Sequence, residues 1–131
     1  MSNQMKISFP GGAGVDAEFK GFTIRTDRAI KQGGLGEQPT PFDLFLFSLG
    51  TCAGYYVLQF LETRNISKDG CYLTMDADWD QERKRLNSVK ILIKLPENFP
   101  EKYRKAVIAA AETCTVKRTM LDPPEFLIET V

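Results

Sequence analysis

Histidine is absent from the 131 residues of this chain. Without an imidazole, the sequence cannot build a Ser-His-Asp triad, a Cys-His dyad or an HExxH zinc site. Most catalytic transition-metal centres are excluded for the same reason, and we expect no metal site. A nucleophilic side chain in this protein must therefore be activated by some other kind of group.

An excess of charge of one sign is also missing. Seventeen Lys and Arg residues balance seventeen Asp and Glu residues, so the formal net charge is zero. A neutral chain produces no long-range field that would hold a polyanion, so we expect no nucleic-acid partner. The glycine-rich stretch 31–39 matches neither the GxxxxGK[ST] nor the GxGxxG phosphate-binding pattern. The sequence therefore predicts no nucleotide, flavin or haem cofactor.

Cysteine is scarce, with three residues at Cys52, Cys71 and Cys114. Their odd number and wide spacing differ from the dense disulfide framework of a small secreted scaffold. Residues 1–6 contain no charged region followed by an apolar run, so no secretory signal peptide is predicted. Together these features predict a cytoplasmic protein.

Length and composition indicate one globular domain over residues 1–131, with 43% hydrophobic side chains. Short alternating runs punctuated by glycine, such as Lys6–Phe9 and Phe22–Arg25, predict a small antiparallel β-meander, followed by an exposed loop at 31–39. Further along the chain, the runs Cys71–Trp79 and Leu86–Leu95 flank a charged tip and predict a β-hairpin.

A first helix is predicted from Thr40 to about Arg64. Thr40 suits the N-cap, Pro41 the first helical position and Asp43 the positive end of the helix dipole. A second helix is predicted from Lys102 to Leu121.

The last residues, Phe126–Val131, form an apolar and β-branched run. Such a run predicts a final strand.

Between Phe42 and Leu61 the first helix is apolar nearly all round, and it is long enough to cross a membrane. Asp43, Gln59 and the lack of basic flanking clusters instead favour a buried helix, so we expect no membrane association. A helix buried on every side needs more cover than one small sheet supplies. A second copy of the chain is the natural source, which predicts a homodimer.

Cys52 lies among the small residues Gly50, Thr51, Ala53 and Gly54, which would let a small substrate approach its sulfur. Cys114 lies on the apolar face of the second predicted helix, and the two helical faces should meet in the core. Both cysteines are also compatible with a plain role as small buried side chains. Cys71 has no motif around it and is interpreted as structural.

Three motifs resemble the OsmC/Ohr family: Pro41-Phe42-Asp43-Leu44, Leu49-Gly50-Thr51-Cys52 and Cys114-Thr115-Val116. The resemblance implies an α+β fold with antiparallel sheets and two main helices, assembled as an intertwined homodimer. It also implies a thiol peroxidase that reduces organic hydroperoxides. By position, Cys52 would be the peroxidatic thiolate and Cys114 the resolving thiol, with an external dithiol resetting the disulfide.

The sequence departs from the family's peroxidases at two positions. Those enzymes resemble one another in an arginine of the amino-terminal hairpin and a glutamate after the helix-starting proline, where this chain has Gly11–Gly14 and Phe42. Arg25 is the first candidate for the missing charge. Weaker candidates are Arg28, Lys117 and Arg118.

Aromatic residues near Cys52 are candidates for an apolar substrate pocket, namely Phe42, Tyr55 and Tyr56. They are also suited to the core or to a dimer interface.

Three functions remain open at this point. The first is reduction of a small hydrophobic peroxide by a Cys52/Cys114 dithiol-disulfide cycle. The second is a divergent two-thiol protein that exchanges disulfides or carries sulfur from a sulfur-containing substrate. The third is a dimer that binds a small ligand without catalysis, in which the cysteines are incidental.

Overall fold

The computed structural model describes residues 4–131, which form two compact units, one ending at Phe47 and the other beginning at Ser48. The elements are β1 (Lys6–Ser8), β2 (Val15–Phe19), β3 (Phe22–Thr26), α1 (Pro41–Thr63), β4 (Tyr72–Asp80), β5 (Arg85–Lys94), α2 (Arg104–Glu112) and α3 (Thr115–Leu121). Helices and antiparallel sheets together confirm the predicted α+β class. A single domain over residues 1–131 stays a prediction.

The first unit contains a three-stranded antiparallel sheet in the order β1-β2-β3, which confirms the predicted meander. Ala17 lies opposite both Ile7 and Ile24, whereas Asp16 lies opposite Arg25. Because side chains alternate between the two faces of a strand, one face of this sheet is apolar and the other is polar. On the apolar face, Phe22 is 71% exposed and Ile24 is 45% exposed.

The loop after β3 is organised by the buried carboxylate of Asp27. Its oxygens accept hydrogen bonds from the backbone N–H of Arg28 at 2.7 Å and of Leu35 at 2.8 Å. The Asp27 N–H donates to the carbonyl of Pro39 at 3.0 Å. The predicted exposed loop at 31–39 is therefore mostly exposed, and Asp27 holds it at Leu35 and at Pro39.

Helix α1 begins with a reciprocal cap. The Asp43 N–H donates to the Thr40 hydroxyl at 3.2 Å, and the Thr40 N–H donates to the Asp43 carboxylate at 2.9 Å. This capping box confirms the predicted start of the helix and makes Asp43 a capping residue. The helix ends at Thr63, and Asn65 follows with a positive φ of 53°.

By length and composition alone, α1 could cross a membrane. In the second unit, however, its side chains Val57, Phe60 and Leu61 form a buried core with Val107 of α2. Leu73 of β4 packs against this core with other partly buried residues of the hairpin. The apolar character of the second half of α1 is thus explained by packing between a sheet and a helix.

The predicted hairpin is confirmed as β4 paired antiparallel with β5. Asp80 closes its tip, because its carboxylate accepts the backbone N–H groups of Glu82 and Arg83, each at 3.0 Å. Lys84 takes a positive φ of 52° in the turn. The charged tip is exposed to solvent, as its composition predicted.

The prediction of one continuous second helix from Lys102 to Leu121 is wrong. A 3-10 turn precedes α2, and α2 is separated from α3 at Thr113 and Cys114. The Thr113 hydroxyl donates to the carbonyl of Ala110 at 2.6 Å, and Cys114 has an extended backbone with φ −45° and ψ 123°. The β-branched residues around the break have weak helix propensity, so three helices form where two were predicted.

The predicted final strand at Phe126–Val131 is also wrong. These residues form no strand in the described part of the chain, and Phe126 is 84% exposed. A strand requires a neighbour that satisfies its backbone N–H and C=O groups. An apolar, β-branched composition does not supply that neighbour.

Candidate thiol site

The second unit makes Cys52 and Cys114 neighbours, but Cys114 lies in the break between two helices and not on the predicted helical face. Cys52 lies half-buried on α1, and Cys114 is only 3% exposed at the break between α2 and α3. Both are free thiols, and each is close enough to shift the pKa of the other. The site is therefore a pair of neighbouring thiols, one half-buried and one enclosed.

The break in the second helical region determines what faces Cys52. Helix α3 starts directly after Cys114, and the first N–H groups of a helix have no partner within it. The backbone N–H groups of Thr115 and Val116 instead face Cys52, and their hydrogen-bonding effect lowers the pKa of its thiol. A continuous helix would have used these donors for its own backbone carbonyls.

The surroundings of Cys52 favour its thiolate. Burial raises the pKa of this thiol, but hydrogen bonds from the Val116 N–H, the Cys114 thiol and the Thr115 N–H act in the other direction. Attraction to the Arg118 guanidinium acts in the same direction as the hydrogen bonds. The net result is a pKa below the usual cysteine value, so the accessible sulfur is the better nucleophile of the pair.

The surroundings of Cys114 favour its protonated form. Burial raises the pKa of the Cys114 thiol, and both the hydrogen bond to Cys52 and the charge on Cys52 raise it further. The neighbouring backbone N–H groups of Lys117 and Val116 offset only part of this effect. The two thiols are thus unequal, because the pKa of Cys52 is lowered and the pKa of Cys114 is raised.

Tyr56 joins the two sides of the site. It lies one turn after Cys52 on α1, and its hydroxyl is 3.0 Å from the hydroxyl of Thr115, the first residue of α3. Tyr55 packs edge-on against the Tyr56 ring at 5.2 Å between centroids and is itself 61% exposed. Tyr56 therefore contacts the element that supplies hydrogen bonds to Cys52.

A cavity of about 540 Å³ lies on the Cys114 side of the site. Apolar side chains of β5, α2 and α3 line most of it, including Ile91, Val107 and Met120. The charged side chains at its wall are Arg104, Glu112 and Lys117, and Cys114 is part of the lining. The cavity could hold a small apolar molecule next to the buried sulfur.

The predicted pocket residues do not line this cavity. Phe42 belongs to the first unit, where its ring lies 5.5 Å from that of Phe45. Tyr55 and Tyr56 face elsewhere in the second unit. A role of these three side chains in binding substrate stays a prediction.

Two of the predicted sources of positive charge have different surroundings. Arg25 is exposed on β3, on the polar face of the first unit's sheet opposite Asp16, and its catalytic role stays a prediction. Arg118, a weaker candidate from the sequence, is the cation that lowers the pKa of Cys52.

Cys71 packs beside the core of the second unit, where burial raises its pKa. Its interpretation as structural stays a prediction. Within residues 4–131, no group of three or more Cys, Asp or Glu side chains is placed to hold a metal ion.

Sequence reasoning missed the backbone donors of Thr115 and Val116. The signal was present in Thr113-Cys114-Thr115-Val116, because three β-branched residues in four weaken a helix at that point. The periodic stripe of apolar residues outweighed this signal, since periodicity records which face is buried and does not report a one-residue interruption.

The chain matches the model of one sequence family and is similar in fold to solved structures. The sequence model of a family described as "OsmC-like protein" matches residues 34–129. No curated protein sequence matches the chain significantly.

Several solved structures are similar to this chain. An osmotic stress induced and detoxification response protein from Psychrobacter arcticus shares 23% identity, covering 91% of this chain and 88% of its own, with a TM-score of 0.78. An OsmC-like protein from Mycoplasma pneumoniae shares 12% identity, covering 94% of this chain and 89% of its own, with a TM-score of 0.73. An organic hydroperoxide resistance protein from Elizabethkingia anophelis shares 13% identity, covering 92% of this chain and 89% of its own, with a TM-score of 0.64. At these identities the likeness establishes a common fold.

Proposed function

The chain belongs to the OsmC-like protein family, and from that premise we propose that it reduces organic hydroperoxides through a dithiol-disulfide cycle of Cys52 and Cys114. Family membership supports a redox-related role and a soluble protein. The observation that carries the proposal is the pairing of a half-buried Cys52, whose pKa is lowered, with a buried Cys114, whose pKa is raised.

The first step is attack of the Cys52 thiolate on the outer oxygen of the hydroperoxide. The sulfur–oxygen bond forms as the O–O bond breaks, and the leaving alkoxide takes a proton to become an alcohol. Cys52 is then a sulfenic acid, oxidised by two electrons. The donors Thr115 and Val116 hold the attacking sulfur in its charged form before this step.

The second step uses Cys114. Its sulfur attacks the sulfenic sulfur of Cys52, a disulfide forms, and the hydroxyl leaves with the Cys114 proton as water. An external dithiol then reduces the disulfide and becomes a disulfide itself. Cys114 is the thiol next to Cys52, which suits it to this resolving role.

A small hydrophobic peroxide is the substrate class that suits the surroundings. The cavity beside Cys114 has a largely apolar lining, which would favour an alkyl or aryl group over a hydrated peroxide. The protein would work in the cytoplasm, where a reducing environment supplies the external dithiol and keeps the cysteines free.

The working form is a homodimer. Exposed apolar side chains such as Ile7, Phe22 and Ile24 share one face of the first unit's sheet, and burying such a face is favourable. A second copy of the chain offers the same face, so one symmetric contact would cover both.

Sulfur transfer is the second candidate. It is favoured by Phe42 and Gly11–Gly14, which stand where the peroxidases resembled by this sequence carry a glutamate and an arginine. In that function Cys52 would attack a disulfide or a sulfane-sulfur donor, and the same polarised pair would serve.

The decisive experiment mixes reduced protein with cumene hydroperoxide in a stopped-flow instrument and counts the remaining thiols. We expect rapid loss of two thiols and a Cys52–Cys114 disulfide by mass spectrometry. Cys52→Ser should abolish the fast phase. Cys114→Ser should lose one thiol and leave a sulfenic acid that dimedone traps.

Cys71→Ala is the matched control, since this thiol lies apart from the pair and its loss should leave the reaction unchanged. Thiols that persist for minutes in excess peroxide would contradict the peroxidase proposal. Fast transfer from a sulfane-sulfur donor to Cys52 would then favour the second candidate.

A further inference from the structure

We propose that Tyr56 is a positioning residue that activates Cys52 through Thr115, by holding the first residues of α3 against the reactive sulfur. The inference rests on the proposed thiol chemistry and identifies how the chain prepares its nucleophile. Tyr56 does not touch the reacting atoms in this scheme. It acts through the backbone of a neighbouring element.

The geometry places Tyr56 and Cys52 on one face of α1. Residues four apart on a helix lie about one turn from each other, roughly 6 Å along the axis. The Tyr56 hydroxyl lies 3.0 Å from the Thr115 hydroxyl. The backbone N–H of the same Thr115 is one of the groups that lower the pKa of Cys52, so one residue of α3 neighbours both members of this α1 pair.

Helix α3 needs such a tie because little else fixes it. It has seven residues and contains no fully buried side chain. Cys114, at its start, makes no side-chain hydrogen bond that caps the helix. A short, exposed helix after a break in the chain is marginally stable by itself, so one hydrogen bond to α1 restrains its first turn.

Movement of α3 would affect several of the groups that face Cys52. The N–H groups of Thr115 and Val116 belong to its first turn, and the Arg118 guanidinium is carried by the same helix. The remaining group is the thiol of Cys114 immediately before it. All these groups lie on or next to one element, so fixing that element fixes the environment of the sulfur.

The test measures the alkylation of Cys52 by iodoacetamide across pH 5–10, with mass spectrometry to follow the Cys52 peptide. We expect Tyr56→Phe to move the midpoint of the profile to higher pH. The rate at pH 7 should fall about fivefold, the equivalent of one neutral hydrogen bond. The plateau at high pH should be unchanged, because the fully ionised sulfur is equally accessible.

Two Thr115 variants and one variant of the neighbouring tyrosine serve as controls. Thr115→Val removes the hydroxyl while keeping the shape, and it should reproduce the shift. Thr115→Ser keeps the hydroxyl and should restore a profile close to the wild type. Tyr55→Phe removes a hydroxyl from the adjacent exposed ring and should leave the profile unchanged.

The inference is overturned if Tyr56→Phe keeps the wild-type midpoint, or if Thr115→Ser behaves like Thr115→Val. It is also overturned if Tyr55→Phe shifts the profile as much as Tyr56→Phe. Alkylation requires no peroxide, so the outcome is independent of the peroxidase assay. A shifted profile in a protein that does not reduce peroxide would retain the positioning role and reject only the proposed reaction.

Discussion

Two cysteines of the same chain acquire opposite acid-base character from a few neighbouring atoms. Both are desolvated, which raises the pKa of each thiol. Cys52 gains donors from the start of α3 and an attraction to Arg118, whereas Cys114 faces the charge that forms on Cys52. The direction of each shift is thus decided by contacts between residues, which favours ionisation of one sulfur at a time.

The three cysteines should separate in their pH profiles of alkylation. The lowered pKa of Cys52 means that its thiolate persists to lower pH. Alkylation of Cys52 should therefore reach half its maximal rate at a lower pH than alkylation of Cys71 or Cys114. The raised pKa values of the other two keep them protonated until higher pH. Peptide mapping after timed alkylation measures each site, and a midpoint for Cys71 below that of Cys52 would contradict the prediction.

Removing the Arg118 charge should make Cys52 less reactive. Arg118→Gln deletes the attraction that favours the thiolate, and since this side chain is exposed the loss at pH 7 should be about two- to threefold in alkylation rate. Added salt should reduce the difference between the variant and the wild type, because it screens the charge. Arg83→Gln, at the exposed hairpin tip, is the matched control and should have no effect.

At the scale of elements, the ends of helices matter more to the site than their middles. The capping box of Thr40 and Asp43 begins α1 at Pro41. The break at Thr113 and Cys114 begins α3 and releases the donors for Cys52. Both ends follow from side chains that compete with or complete backbone hydrogen bonds.

Loss of the N-terminal cap of α1 should destabilise the protein. Thr40→Ala removes the acceptor for the Asp43 N–H and should lower the free energy of unfolding by about 1 kcal/mol. Urea unfolding followed by circular dichroism measures this loss. Thr63→Ala, at the other end of the same helix, removes only a bond back to the Gln59 carbonyl and should be neutral or slightly stabilising.

At the scale of the whole molecule, the chain leaves much apolar surface exposed. The clearest case is the first unit's sheet, where strict alternation puts Ile7, Ala17 and Ile24 in register on one face. Charged partners such as Asp16 and Arg25 occupy the other face. An amphipathic sheet with an uncovered apolar face is suited to association, which is the physical basis of the proposed homodimer.

A charge on that face should weaken the dimer. Ile24→Lys puts an ammonium group where the second copy would pack, and the dissociation constant should rise by more than about tenfold. Thr23→Lys places the same charge one residue away on the polar face and should leave association intact. Sedimentation equilibrium measures both, and a wild-type protein that remains monomeric at micromolar concentration would reject the homodimer.

Local sequence patterns were sufficient to predict most of the helices and strands. The meander, the hairpin and the start of α1 follow from alternation, glycine positions and the Thr40–Asp43 cap, all of which act over a few residues. The same local reasoning failed at Phe126–Val131, because strand formation depends on a neighbour and composition describes only the segment itself. It failed again between Thr113 and Cys114, where an apolar stripe continues across a real interruption.

The sequence by itself determined the chemistry available to this protein, which has no imidazole and three thiols. It also carried the motifs of the family. Only the tertiary structure decided which thiol ionises, because that depends on donors of α3 that lie more than sixty residues along the chain from Cys52. Burial can be predicted from the residue types, whereas a pKa depends on the distances between groups that folding brings together.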